Sequence, residues 1–255
     1  MNYVEDLFGL KGKTAIITGA SRGLGRAAAL ALNGAGSNVI LTGRDAKMLD
    51  ETKSLLSDPG RSSILEADVT SGSDRKKVIS AVIQDFGKLD ILINNAGIIR
   101  RDPAIEYSAE YWDEVIETNL TSVFHWSQDA AKEMIKSGGG KIINIASVLS
   151  FSGGVNVIAY AAAKGGVAQM TKALANEWAK HHINVNAIAP GYFETNATSA
   201  LRSNPERSAQ ILSRIPAGRY GESNELAGAF IFLSSHASDY MHGHILTVDG
   251  GFNSF

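Results

Sequence analysis

Thr14-Ala-Ile-Ile-Thr18-Gly19-Ala-Ser-Arg22-Gly23-Leu-Gly25-Arg26 is the stretch whose reading decides the fold. Its first five residues are apolar or β-branched, the composition of a strand covered on both faces. From Ala27 to Asn33 the apolar residues recur at helical spacing. Glycine at 19 allows a tight turn between the two. Glycines at 23 and 25 would let backbone N–H groups and a helix N-terminus approach a phosphate without side-chain interference. Glycine triplets also occur in flexible turns. Placement between a strand and a helix makes this one a phosphate-binding candidate.

The same alternation continues outward along the chain. Asn38–Thr42, Ser63–Ala67, Leu89–Ile93, Lys141–Ile145, Ile183–Ala187 and His244–Val248 read as further strands. Helical periodicity lies between them, in Asp74–Phe86, Tyr111–Ile135 and Ala159–Lys180. Strand and helix repeated in this way predict an α/β fold, a doubly wound (Rossmann) seven-stranded parallel sheet with helices on both faces. A single domain over 1–255 is expected. Residues 190–219, polar and poor in strands, would form a segment covering the substrate at the ligand-facing end of the sheet.

The bulk properties narrow the function. The 255 residues carry a net charge of −2 and no cysteine. There is no clustered basic excess to grip nucleic acid or an anionic membrane, and no thiolate for catalysis or metal binding. The first eight residues contain acids and no apolar run, unlike a secretory signal. No stretch approaches the roughly 20 apolar residues of a membrane span. These features read as a soluble, cytoplasmic protein. His181 and His182 sit at a helix end, where they complement the dipole more readily than they hold a metal, and no metal is expected.

An acid about 20 residues beyond the glycines would hold the ribose hydroxyls of NAD, whereas an arginine would accept a 2′-phosphate. Here the chain reads Leu41-Thr-Gly43-Arg44-Asp45. Arg44 and Arg22 could flank a phosphate of nearly two negative charges. Asp45 could instead hold the diol. NADP(H) is favoured and NAD(H) remains possible.

A second constellation carries the chemistry. The Lys141–Ile145 strand ends in Ala146-Ser147, and Tyr160-Ala-Ala-Ala-Lys164 follows at a helix start. Residues four apart share a helix face, with Cβ atoms about 5–6 Å apart. An ammonium beside a phenol favours the phenolate and would lower a pKa that starts near 10, which suits a tyrosine acid/base. Ser147 could bond the same substrate oxygen. A lone Tyr-x-x-x-Lys is usually a surface pair; the glycine loop and strand-end serine make this one a catalytic candidate.

These pieces resemble the short-chain dehydrogenase/reductase family. They are Thr18-Gly19-x-x-x-Gly23-x-Gly25, Asp68-Val69, Asn94-Asn95-Ala96-Gly97, Asn119, Ser147, Tyr160-x-x-x-Lys164, Pro190-Gly191 with Thr195, and Val248-Asp-Gly-Gly251. The resemblance implies an oxidoreductase that interconverts a ketone and a secondary alcohol without a metal. Tyr160 would carry the proton and Ser147 polarise the oxygen. Lys164 would hold the nicotinamide ribose and lower the tyrosine pKa, and Asn119 would anchor a water. The cofactor would lie against Gly19, Ser21, Arg22, Gly23, Leu24, Gly25, Arg44, Asp68, Val69, Asn95, Ala96, Gly97, Tyr160, Lys164, Pro190, Gly191 and Thr195. A homotetramer is implied as well, and no nucleic-acid or membrane partner.

Asn94-Asn-Ala-Gly-Ile-Ile-Arg-Arg101, Asn176-Glu-Trp-Ala-Lys180, Ile183–Tyr192 and Arg214-Ile-Pro-Ala-Gly-Arg219 look like the sugar-acid branch of that family, of the gluconate 5-dehydrogenase and 2-deoxy-D-gluconate 3-dehydrogenase type. A deoxy or keto sugar acid from uronate degradation is the expected substrate, with Arg101 and Tyr192 lining its site beside Ser147 and Tyr160. Arg100, Arg202 and Arg219 are weaker candidates for its carboxylate. Reduction of a 3-oxoacyl thioester or a neutral ketone is the alternative chemistry, and a non-catalytic nucleotide-binding protein the alternative class.

Overall fold

The computed structural model describes residues 2–254; positions 1 and 255 of the expected domain lie outside the described residues. The chain runs α1 (Tyr3–Phe8), β1 (Thr14–Thr18), α2 (Gly23–Gly34), β2 (Asn38–Gly43), α3 (Ala46–Ser54), β3 (Ser62–Glu66), α4 (Gly72–Phe86) and β4 (Ile91–Asn94). It continues through α5 (Ala109–Ile116), α6 (Ser122–Lys136), β5 (Gly140–Ile145), α7 (Ile158–Trp178), β6 (Ile183–Pro190), α8 (Ser199–Arg202), α9 (Pro205–Leu212), α10 (Ala227–Ser234) and β7 (Ile245–Val248).

All seven strands are parallel, in the order β3-β2-β1-β4-β5-β6-β7. The chain therefore switches direction across the sheet between β1 and β4, opening a crevice at their carboxyl ends. Side chains alternate along each strand and feed two cores. Ala15, Ile17, Val39, Leu41, Ile91 and Ile93 join α2, α3 and α10 through Leu32, Leu49 and Phe230. Ile16, Ile40, Leu92 and Ile142 point the other way, onto Val78 and Val82 of α4 and Trp126 and Met134 of α6. Each strand thus has two apolar faces, which is why it reads as a continuous run rather than an alternating one.

The structure departs from the sequence reading in two places. Tyr111–Ile135 is not one regular helix: a π turn over Glu117–Thr121 separates α5 from α6. Helices α3 and α10 were not expected. The second is apolar on every side and shows no 3.6-residue stripe; the first is nine mostly polar residues that bury only Leu49 and Thr52. Within 190–219 the chain forms the short helices α8 and α9.

Candidate active site

The loop after β1 opens the crevice. Gly19 sits at φ +64° and Gly23 at φ +55°, in the left-handed region that favours glycine. A Cβ on Gly19 would meet the Ala96 Cα at 2.9 Å and Asn95 Nδ2 at 3.0 Å. A Cβ on Gly25 would fall 2.2 Å from the Gly19 carbonyl oxygen and 2.4 Å from Asn95 Nδ2. Gly25 therefore lets α2 pack onto the loop and β4, a correction to the expectation that it clears space for a phosphate. Gly23, whose Cβ would face Thr195 at 3.5 Å, does open towards the cleft. No side chain caps the start of α2, so its first N–H groups are left to an anion. Ser21 and Leu24 line the same wall. The brace behind it has no signature in the sequence: Arg26 Nη2 donates to the Ser21 carbonyl at 2.7 Å, and the Thr52 hydroxyl lies 3.1 Å from both the Ala20 and Ser21 carbonyls.

From this loop a cleft of about 510 Å³ runs in two directions. At one end stand Arg22, Gly43, Arg44, Asp68 and Val69. Asp45, the rival for the ribose, caps α3 by accepting the Met48 N–H at 3.1 Å. One oxygen of its carboxylate is thus engaged at the start of α3. Arg44 is largely exposed, 3.8 Å from Asp68. Burial pushes the Asp68 carboxyl up, but bonds from the Thr70 N–H and hydroxyl and the charge of Arg44 outweigh it and hold the pKa below the usual range. Trp126 Nε1 donates to the Val69 carbonyl at 3.1 Å and fixes this wall from beneath.

Asn95, Ala96 and Gly97 line the middle of the cleft. The Asn95 amide itself faces inward, donating to the Thr18 and Gly19 carbonyls at 2.9 and 3.1 Å. Its side chain clamps the end of β4 to the glycine loop. Asn119 likewise spends both ends of its amide on Ile98, accepting from its N–H and donating to its carbonyl, each at 2.8 Å. These two bonds tie the helix turn carrying Asn119 to the strand-end loop after β4. The π turn leaves backbone groups at this point out of regular pairing.

At the far end Tyr160 and Lys164 complete the cleft, beside Ile145. Ser147 follows β5 and accepts the Leu149 N–H at 3.1 Å. Ser150, which sequence reasoning missed, accepts the Ser147 N–H at 3.3 Å and donates to the Lys164 carbonyl at 2.7 Å. One hydroxyl thereby ties the serine turn to the helix carrying Tyr160. The Lys164 side chain is buried and donates to the Ile145 carbonyl, with Nζ 5.6 Å from the Tyr160 ring centroid. Burial lowers its pKa from 10.5 to about 8. The tyrosine departs from expectation. Burial pushes its phenol above 10, against the pull of the neighbouring Ser147 hydroxyl and the charge of Arg101. Lys164 points at a backbone carbonyl rather than at the phenol, so the lowering expected of it is not present in this arrangement.

Of the substrate-side arginines, two are already taken and a third is lightly engaged. Arg100 makes a two-pronged pair with Glu114 at 2.7 Å on each arm, and Arg219 does the same with Glu225. Arg202 lies 4.0 Å from Glu194 and donates to the Thr195 carbonyl. The two-pronged pairs overturn Arg100 and Arg219 as carboxylate candidates, whereas the contact of Arg202 with Glu194 lies at the edge of ion-pair range. Arg101 instead donates to the Ala197 carbonyl at 2.9 Å and has no carboxylate partner among the described residues. Ala197, Thr195 and Asn196 overhang the cleft. Tyr192 packs edge-on against Tyr220 and Phe252, with burial holding its phenol above 10. After Pro190, a Cβ on Gly191 would strike the Asp249 Cα at 2.7 Å, so the end of β6 packs closely on the turn after β7.

An extended cleft fits a dinucleotide: uncapped N–H groups at its waist, two arginines at one end, and a lysine and tyrosine at the other. Comparison with known proteins agrees. A family model described as enoyl-(acyl carrier protein) reductase matches residues 19–253. The chain is 50% identical over 250 residues to 2-dehydro-3-deoxy-D-gluconate 5-dehydrogenase of Dickeya dadantii, covering 97% of this chain and 98% of that one. It is 43% identical over 247 residues to gluconate 5-dehydrogenase of Gluconobacter oxydans, covering 96% of each. Its backbone superposes with TM-score 0.94 on a gluconate 5-dehydrogenase from Burkholderia cenocepacia J2315 in complex with NADP and tartrate, at 39% identity over 99% of both chains.

Proposed function

The chain belongs to the short-chain dehydrogenase/reductase family, and from that premise we propose that it interconverts a secondary alcohol and a ketone at C5 of a 2-keto-3-deoxy sugar acid with NADP(H). The observation that carries this reading is the Ser147, Tyr160 and Lys164 group at the end of a dinucleotide-sized cleft, with Arg101 beside it free of any carboxylate among the described residues. Relatives from Dickeya dadantii, Escherichia coli and Bacillus subtilis, 50, 49 and 47% identical, are named for oxidation of 2-dehydro-3-deoxy-D-gluconate at C5, which supports the substrate class.

The bound nicotinamide would accept the hydride from C5 in oxidation and return it in reduction. Tyr160 takes the hydroxyl proton in the first direction and delivers it in the second. A phenol held above 10 is protonated at neutral pH, the state that reduction needs. Ser147, pinned by Leu149 and Ser150, orients the same oxygen. Lys164 would swing its ammonium from the Ile145 carbonyl to the cofactor ribose, and in doing so bring positive charge to the tyrosine. Arg101 and Tyr192 would receive the substrate carboxylate under the 190–219 segment. Arg22 and Arg44 would hold the 2′-phosphate, with Asp68 and Val69 at the adenine.

Uronate degradation, a cytoplasmic location and a homotetramer complete the reading, each supported by the family resemblance. Among the described residues no helix is long and apolar enough to cross a membrane. The test is nicotinamide absorbance with NADP⁺ or NAD⁺ and a panel of 2-keto-3-deoxy acids, aldonic acids and neutral polyols. Turnover of the acids with NADP⁺ preferred is expected. Activity confined to neutral alcohols would reject the sugar-acid assignment.

A further inference from the structure

Seven of the eleven arginines lie within reach of a carboxylate: Arg26, Arg44, Arg61, Arg75, Arg100, Arg202 and Arg219. Arg22, at the glycine loop, has no such partner among the described residues. The other three without one are Arg101, Arg207 and Arg214, and they surround a single side chain. Tyr192 stands in a small apolar cluster with Tyr220, Phe252 and Val148, the residue that follows Ser147 in the chain. Its ring lies 5.3 Å from that of Phe252, and the Arg214 guanidinium covers Phe252 at 4.3 Å from the ring centroid. Arg207 lies on α9 next to Ser208, whose hydroxyl is 3.2 Å from the Tyr220 phenol. Arg207 itself reaches only the Gln210 amide oxygen, at 3.0 Å. Arg101 arrives from the β4 side, tethered to the Ala197 carbonyl.

We propose that Arg207 and Arg214 complete, with Arg101, a three-guanidinium site around the Tyr192 phenol that binds the carboxylate end of the substrate and sets the preference for acids over neutral sugars. This rests on the sugar-acid reading above and adds two specificity-determining residues to it. The charges of all three arginines pull on the Tyr192 phenol, and no carboxylate contributes there. Three cations gathered on one phenol repel one another, an arrangement that favours an incoming anion. The flat guanidinium forks match a carboxylate in geometry. The aromatic floor beneath leaves an apolar wall for the deoxygenated carbon of a 3-deoxy acid. Because α9 and the turn after it carry two of the three cations, this segment selects the substrate's charged end rather than only covering it.

The experiment compares reduction by NADPH of 5-keto-D-gluconate and of L-sorbose, which has the same skeleton with a CH₂OH in place of the carboxylate. In Arg207→Gln, Arg214→Gln and the double variant, the ratio of kcat/KM for acid over neutral substrate should fall about ten- to hundredfold per arginine, through KM of the acid. Arg214 also stacks on Phe252, so Arg214→Lys and Arg207→Lys, which keep the charge, are measured alongside. They should hold the ratio within about threefold of the parent, the smaller loss expected when charge survives and only the fork geometry goes. A ratio in the Gln variants within about twofold of the parent would overturn the proposal, since loss of a contacted charge should exceed this. So would equal losses in the Gln and Lys variants. A parent enzyme that reduces L-sorbose as well as the keto acid would overturn the sugar-acid reading itself, before any variant is made.

Discussion

Replacing Arg44 by Gln should convert the NADP(H) preference into near indifference, and the size of the effect can be worked from the surroundings of that side chain. Arg44 is 74% exposed and its guanidinium lies 3.8 Å from the Asp68 carboxylate. At about 4 Å in a water-like dielectric a pair of unit charges is worth about 1 kcal/mol. A 2′-phosphate of nearly two negative charges makes that about 2 kcal/mol. The exposed contact with Asp68, worth about 0.5 kcal/mol, has to be given up. The remaining 1.5 kcal/mol or so is about a tenfold change in Kd. Fluorescence titration of NADPH and NADH into the parent and the variant reads it directly. Affinity for NADPH should fall about tenfold and that for NADH change less than twofold, since NADH has no 2′-phosphate to lose. An unchanged NADPH affinity, or equal losses for both cofactors, would refute the assignment of Arg44 to the phosphate.

Further outcomes follow from other contacts. Gly25→Ala drives a methyl group into the Gly19 carbonyl and the Asn95 amide, so unfolding should be easier by about 2 kcal/mol and NADPH affinity should drop with it; an unshifted melting temperature would contradict the packing role. Ser150→Ala cuts the link between Ser147 and Lys164, and steady-state kinetics should show kcat reduced about tenfold with KM little changed, restored by Ser150→Thr. Lys164 carries a buried charge whose folded pKa, about 8, lies below the unfolded value of 10.5. Its cost to stability is therefore full below pH 8 and relieved as pH rises from about 8 to about 10.5. Lys164→Met should accordingly stabilise the cofactor-free protein by about 2 kcal/mol at pH 7 and by little near pH 10, while abolishing turnover; denaturant melts at the two pH values decide it.

Much of the fold is legible in the sequence because parallel strands buried on both faces must be apolar throughout, and such runs stand out between amphipathic helices. Where that contrast fails, so does the reading. Helix α10, Ala-Gly-Ala-Phe-Ile-Phe-Leu-Ser, is buried between the sheet and α2 and has no polar side to reveal a period. In the site, residue type and order locate Ser147, Tyr160 and Lys164, whereas the partners of a charged or amide group depend on tertiary approach. Asp45 looked like a ribose ligand because an N-cap and a diol-binding acid are the same residue type at the same place in the chain. Asn119 and Asn95 carry amides that the fold consumes internally. Arg100 and Arg101 are neighbours in sequence, yet Glu114 claims the first while the second reaches only the Ala197 carbonyl.

The most direct test of the central claim, proton transfer by Tyr160 in a nicotinamide-dependent reaction, is single-turnover reduction of 5-keto-D-gluconate by pre-bound NADPH in the parent and in Tyr160→Phe. The expected result is normal NADPH affinity with hydride transfer slowed at least about a thousandfold, since loss of a positioned acid and its bond to the oxygen removes several kcal/mol from the transition state. Hydride transfer within about tenfold of the parent would contradict it, being smaller than the loss of a general acid allows.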